Sequence, residues 1–180
     1  MQRLARAFSR LLLVALIGLI GVILWDRLTP PAPPATLPPI EGKITRLLVE
    51  KSARRMTAFQ GDTAVREYRI ALGFAPEGDK QQEGDGKTPE GIFRINRRNP
   101  ESAFHLSLGI DYPQPADITR ARAAGVSPGG DIFIHGQPNG ANILTAIRRD
   151  WTAGCIAVSN AEIEELWAVT PNGIEVEIRP

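Results

Sequence analysis

Cys155, His135 and His105 are the side chains of this 180-residue chain best suited to nucleophilic chemistry, because it holds one cysteine and two histidines. A thiol becomes a nucleophile when a base or a cation favours its thiolate. Cys155 lies in Trp151-Thr152-Ala153-Gly154-Cys155-Ile156. Gly154 permits a close backbone approach or a strained turn, and Thr152 brings a hydroxyl near the thiol. A small buried hydrophobe is the ordinary fate of a lone cysteine. A cysteine at a turn before a short strand instead stands exposed at a sheet edge. His135 closes the apolar run Asp131–His135 and precedes Gly136, so it too falls at a strand edge. A structurally satisfied buried histidine is the competing reading. One cysteine excludes an internal disulfide and a multi-cysteine metal site, and two histidines argue against a His-rich zinc centre.

The elements that must position these residues are short. Strands are expected over Ile44–Glu50, Arg55–Gln60, Val65–Leu72, Ile92–Asn96, Phe104–Ile110 and Asp131–His135, with Ile174–Ile178 closing the chain. Residues 75–91, rich in Gly, Pro and charge, read as a long loop; Asp85 and Lys87 within it suit either a lid or a plain surface. A helix is expected over Ala116–Ala124, stopped by Gly125. A second starts from Ser159 or Asn160 and runs through Trp167. Short strands at regular spacing suggest a mainly β domain, a small sandwich or barrel-like sheet with a few short helices.

These residues resemble the YkuD-type L,D-transpeptidase catalytic domain. The resemblance rests on His135-Gly136, then Thr152-Ala153-Gly154-Cys155-Ile156, with 16 residues between His135 and Thr152. Thr88-Pro89-Glu90-Gly91 before a strand, Ser159-Asn160 before a helix, and Gly173 before the last strand extend it over roughly Ile44 to Arg179. One departure stands out. Many members carry arginine two residues after the cysteine, where this chain has Ala157, so Gly-Cys-Ile-Ala-Val resembles a subgroup. The change removes a planar cation that could bind a substrate carboxylate.

The resemblance implies a chemistry that needs no metal or organic cofactor. Cys155 is the nucleophile toward the carbonyl of meso-diaminopimelate in a peptidoglycan stem peptide, at an L,D bond. His135 is the general base and then acid, or else stabilises a preformed thiolate. Backbone N–H groups around Gly154 and Cys155 hold the oxyanion, with Gly136 and Thr152 positioning. Arg148, Arg149, Trp151 and His105 are weaker candidates for substrate contact, each with an equally ordinary structural role. The acyl group passes to an amine, giving a cross-link or an attached protein. If water takes it, the enzyme is a hydrolase of the same fold, cutting peptidoglycan or a peptidoglycan–protein linkage. An anchored, non-catalytic envelope binding module is the reading from a different class.

Leu11 to Trp25 forms an uninterrupted apolar run of 15 residues, about 22 Å as a helix against a hydrocarbon core of roughly 30 Å. Extension back through Ala7, with Arg10 snorkelling, brings it near spanning length. Arg3, Arg6 and Arg10 keep the N-terminus in the cytoplasm and the rest of the chain outside. A cleaved signal peptide is the rival, but no clear A-x-A site follows. Thr29 to Ile40 is proline-rich and reads as a polyproline-like spacer. The expected organisation is a basic segment and signal-anchor transmembrane helix over 1–28, a linker over 29–42 and a catalytic domain over 43–180. That places the protein in a bacterial inner membrane with its domain in the periplasm. Net charge is +1, with +3 concentrated in residues 1–30, so no global basic field points to nucleic acid.

Overall fold

The computed structural model describes residues 37–140 and 149–180. The chain divides into two units, Met1–Pro38 and Pro39–Pro180. The expected anchor and most of the proline-rich linker fall outside the described residues, as does Arg148. Among the described residues no helix is long and apolar enough to cross a membrane.

The strand order is β3-β2-β1-β8-β4-β5-β6-β7. Strand β1 (Arg46–Glu50) buries Leu47 and Val49 and turns through residues 51–54 into antiparallel β2 (Arg55–Gln60). Arg54 takes φ 50 in that turn. Gly61, at φ 58, turns the chain again into β3 (Thr63–Arg69). The C-terminal β8 (Glu175–Arg179) inserts parallel to β1. Its other edge receives β4 (Gly91–Ser102).

Strand β4 is the hinge of the architecture. Residues 91–94 pair with β8, whereas Ile95 to Ser102 pair with β5 (His105–Ile110) through two register irregularities. One strand therefore serves both halves of the sheet. Its sequence, GIFRINRRNPES, buries only Phe93, Ile95 and Ser102. The observed strand is 12 residues long, well past the expected Ile92–Asn96. The bulges break the period of two, and Arg-Arg-Asn-Pro looks like loop. Strand β6 (Phe133–His135) follows antiparallel to β5, and β7 (Ile156–Ala157) closes the order parallel to β6.

Two helices are present among the described residues. Helix α1 (Pro115–Ala123) begins with proline in its first turn and a capping box from Gln114 and Asp117. Helix α2 (Asn160–Val169) is capped by Ser159, whose Oγ accepts from Glu162 N–H while the Glu162 carboxylate returns to Ser159 N–H. It buries Ile163, Leu166 and Val169 in one core with Leu108, Ile134, Ile156 and Val176.

The loop over 70–90 is braced from beneath by two buried lysines. Lys51 Nζ donates to the Gly78 and Thr88 carbonyls and to Glu90 Oε1 at 2.7, 3.0 and 2.8 Å. Lys80 Nζ donates to the Gln82 carbonyl and to Asp85 Oδ1 at 3.0 and 2.8 Å. Burial alone raises the pKa of Asp85. The Lys80 ammonium and the N–H groups of Gln81, Gln82 and Lys87 outweigh it, holding the carboxyl at about 2. Asp85 is thus an internal anchor of the loop.

Lys51→Met removes one partner from three acceptors at once. A loss of about 3 kcal/mol is expected, as for breaking a largely buried ion pair. Urea unfolding checks it; a change under about 0.5 kcal/mol, the usual surface range, contradicts this account of the loop.

Candidate functional site

The site is built where β7 meets β6. Ile134 pairs with Ile156 and His135 with Ala157 in parallel register. Cys155, one residue before β7, therefore lies beside the beginning of β6, and His135 stands at the strand's end. Both line a cavity of about 310 Å³ with Asn99, Ser102, Ala103, Phe104, Ser107, Asp131 and Phe133. A larger open groove, lined in part by Lys43, Arg46, Asp62 and Arg94, contains neither.

The Cys155 turn is closed by its own side chains. Thr152 is buried, and its Oγ1 donates to the Cys155 carbonyl at 2.7 Å and accepts from Gly154 N–H at 3.1 Å. Gly154 adopts φ +138, and a Cβ there would stand 2.7 Å from the Lys87 carbonyl oxygen. Only glycine suits that position. Of the two N–H groups expected to face an oxyanion, that of Gly154 is engaged by Thr152 Oγ1. The Cys155 N–H finds no acceptor among the described residues and is the donor this turn has available. Gly136 is a packing residue. Its N–H donates to the Phe104 carbonyl at 3.0 Å, and a Cβ there would meet Asn160 Oδ1 at 2.7 Å.

The upstream side is pinned by Asp150, which sequence reasoning passed over. Its carboxylate accepts from Leu72 N–H at 2.9 Å and from Arg54 Nε and Nη2 at 2.9 and 2.8 Å. The N–H groups of Trp151 and Thr152 both reach the Leu72 carbonyl at 3.1 Å.

His135 is 3% exposed. Its Nδ1 lies 2.7 Å from the Gly136 carbonyl oxygen. A carbonyl only accepts, so Nδ1 carries the proton and Nε2 is the free base. The ring packs against Phe104 at 4.6 Å and Trp151 at 5.7 Å between centroids. Burial pushes the imidazolium pKa down, and the Gly136 carbonyl only partly offsets this. Burial likewise pushes the Cys155 thiol up. The Phe133 N–H opposes it, the Asp131 charge adds to it, and Lys80 and Arg97 pull it down. The thiol donates to the Asp131 carbonyl at 3.4 Å. The resting pair is therefore neutral thiol and neutral imidazole, suited to general-base catalysis as the sulfur attacks.

Trp151 walls the His135 ring, and its indole N–H is buried. His105 does not enter the cavity: its Nε2 lies 2.7 Å from Glu164 Oε1 on α2. Its φ of 68 at the start of β5 breaks the alternation that allowed a cleft role. Arg149 is exposed and outside the cavity lining. Of the lining residues not singled out from sequence, Ser107 is the cross-strand neighbour of His135, and Asn99 that of Ser107. Their signal was the alternation His105, Ser107, Gly109; the bulged register of β4 hid Asn99. Among the described residues no group of three His, Cys, Asp or Glu converges to hold a metal ion.

Comparison with known proteins agrees in one direction. The profile of the YkuD family, an L,D-transpeptidase catalytic domain, matches residues 44–178. An L,D-transpeptidase of Bacillus licheniformis named YkuD is 28% identical over 140 residues, covering 75% of this chain and 66% of that protein. YafK of Escherichia coli K12, also named an L,D-transpeptidase, is 30% identical over 102 residues, covering 56% of this chain and 35% of YafK. The crystal structure of the helical cell shape determining protein Pgp2 from Campylobacter jejuni superposes with a TM-score of 0.57 at 27% identity, over 77% of this chain and 48% of that one.

Two outcomes follow from this geometry. Alkylation of Cys155 by iodoacetamide is expected to rise with pH and to plateau only above about 8.5, the ordinary thiol pKa. A rate already level at neutral pH would instead reveal a preformed thiolate–imidazolium pair. Gly154→Ala is expected to lower stability by about 1–3 kcal/mol, as forced backbone strain does, and to slow alkylation by displacing the turn. An unchanged melting temperature and rate would show that the Lys87 contact yields freely.

Proposed function

From the chain's membership of the YkuD family of L,D-transpeptidase catalytic domains, we propose that it is a membrane-anchored envelope enzyme transferring the acyl group of a peptidoglycan stem peptide through a Cys155 thioester. The family acts on such stem peptides. The observation that carries the reading is the shared cavity of Cys155 and a His135 whose tautomer leaves Nε2 bare.

The step balances within this chain. The stem-peptide carbonyl enters the cavity, Cys155 Sγ forms the new C–S bond, and its proton passes to His135 Nε2. Charge develops on the carbonyl oxygen, toward which the Cys155 N–H is the available donor. The C–N bond to D-alanine then breaks, and the imidazolium returns its proton to the leaving amine. Gly136 holds the ring through both transfers. An incoming amine reverses the sequence and receives the acyl group.

A second reading has water as the acceptor. Ala157 supports it: the position that often carries arginine in the resembling family is a fully buried alanine, hydrogen-bonded to Ala71 on both backbone sides. The N-terminal apolar run and the arginines before it support an uncleaved anchor with the domain on the periplasmic face of the inner membrane. A linker of about a dozen residues reaches about 40 Å if polyproline-like, which favours nearby wall or a wall-linked protein as substrate.

The test uses the full chain in detergent, tetrapeptide muropeptides and a D-amino acid, with Cys155→Ala as control and mass spectrometry of the products. A Cys155-dependent exchange product or cross-linked dimer is expected. Shortened peptide without an amine adduct assigns the hydrolase. Absence of any Cys155-dependent product overturns both readings for stem peptides.

A further inference from the structure

Two cross-strand rows lie side by side at the cavity. Asn99, Ser107 and His135 form one; Arg97, Gly109 and Phe133 form the next. In the second row Gly109 leaves a channel for the arginine. A Cβ at 109 would stand 2.5 Å from both Arg97 Cγ and Nε, and 3.0 Å from Phe133 Cε1. Arg97 therefore crosses flat over β5, and its guanidinium carbon comes to rest 4.5 Å from the Phe133 ring centroid. Its Nη2 lies 3.0 Å from Asp131 Oδ1. Phe133 and Asp131 both line the cavity; Arg97 does not, but its cation touches both of these lining residues.

We propose that Arg97 is a specificity-determining residue of this site, exchanging Asp131 for a carboxylate that the substrate carries next to the scissile carbonyl. The inference rests on the stem-peptide reading above. Three observations support it. The Arg97 and Asp131 side chains are 43% and 83% exposed, and an open ion pair of this kind is weakly held. Stacking on Phe133 keeps the planar fork oriented before ligand arrives, as bidentate carboxylate recognition requires. The charge is also close enough to lower the Cys155 thiol pKa, while Asp131 raises it.

Asp131 occupies an unusual place. It is a non-glycine residue at φ 55, a sparsely populated conformation. Its carbonyl takes the Cys155 thiol proton's hydrogen bond while its carboxylate faces Arg97. One residue thus touches both the nucleophile and the cation, as an internal stand-in for the incoming carboxylate. Position 157 offers no alternative: Ala157 is fully buried between β6 and Ala71. In this chain the cation in contact with the cavity's lining residues comes from β4.

The test is binding to the full-length Cys155→Ala protein by calorimetry. The probes are a tetrapeptide stem ending in diaminopimelyl-D-alanine, the same peptide with its diaminopimelyl side-chain carboxylate as a primary amide, and the same with its C-terminal carboxylate as an amide. One amide is expected to bind about tenfold more weakly than the parent, the scale of a lost charge-assisted pair. Its identity names which carboxylate is read. Adding Arg97→Gln is expected to weaken the parent to the same level and abolish the discrimination, and Arg97→Lys to retain part of it. Asp131→Asn is expected to tighten the parent, a sign that general damage to the fold does not produce. Undiminished discrimination in Arg97→Gln protein of unchanged melting temperature overturns the proposal, as does equal binding of all three peptides. Arg97-dependent discrimination without any Cys155-dependent product leaves Arg97 standing and removes the catalytic reading. No binding by any peptide removes both.

Discussion

The pairing of Ile134 with Ile156 and of His135 with Ala157 is a parallel seam two residues long, and the placement of thiol and imidazole on one cavity follows from its register. A slip of β7 by one residue would turn Ile156 out of the core and carry Cys155 to the other face. So short a seam cannot hold itself. Ile134 and Ile156 are fully buried, and Ala71 exchanges backbone hydrogen bonds with Ala157 on the outer side. Asp150, clamped by Arg54 and the Leu72 N–H, fixes the approach, and Thr152 closes the turn. Behind these stands the loop over 70–90, whose Lys87 carbonyl abuts Gly154. Two buried lysines far from the cavity in sequence thereby set the floor under the nucleophile.

Burial decides the protonation state. Charge separation between Cys155 and His135 would place two ions where solvent is largely excluded, and desolvation of each outweighs what the nearby dipoles return. The neutral pair costs less at rest. Attack on a carbonyl changes the balance, because the proton moves as the negative charge leaves sulfur for oxygen. The Gly136 carbonyl then faces an imidazolium Nδ1–H and strengthens its hold as charge appears. Fixing the tautomer through the adjacent residue needs no third side chain, which suits a site assembled from a three-residue strand.

Much of this was legible in the chain. Cys155 and His135 were marked by glycines that only a turn or a close approach requires, and the structure places both on one cavity. The start of α2 was visible to within one residue, Ser159 or Asn160, because capping is local. Strands β5 and β8 announced themselves by alternation, and β6 as a short apolar run. What stayed hidden was nonlocal. Strand β4 runs through Arg-Arg-Asn-Pro because its partners, and not its own period, hold it in the sheet. Lys51, Lys80 and Asp150 carry no local signal, since nothing local shows that a lysine will meet three acceptors from a loop 27 to 39 residues away. His105 shares its alternation phase with Ser107, and a positive φ at the strand's first residue turns it toward Glu164 instead.

Arg97 belongs to the same hidden class, and its case shows how a site can keep a charge while losing the residue expected to supply it. Position 157 holds a fully buried alanine and supplies no charge. A guanidinium from β4 needs only that β5 be bare where it crosses, and Gly109 meets that condition. The register that sets Ser107 opposite His135 also sets Gly109 opposite Phe133, so one hydrogen-bonding pattern carries the base into the cavity and opens the path for the cation. A side chain at 109 would block the arginine without touching the catalytic pair. On the proposed reading the β6–β7 seam serves the reaction, and the bulged pairing of β4 with β5 serves the choice of substrate.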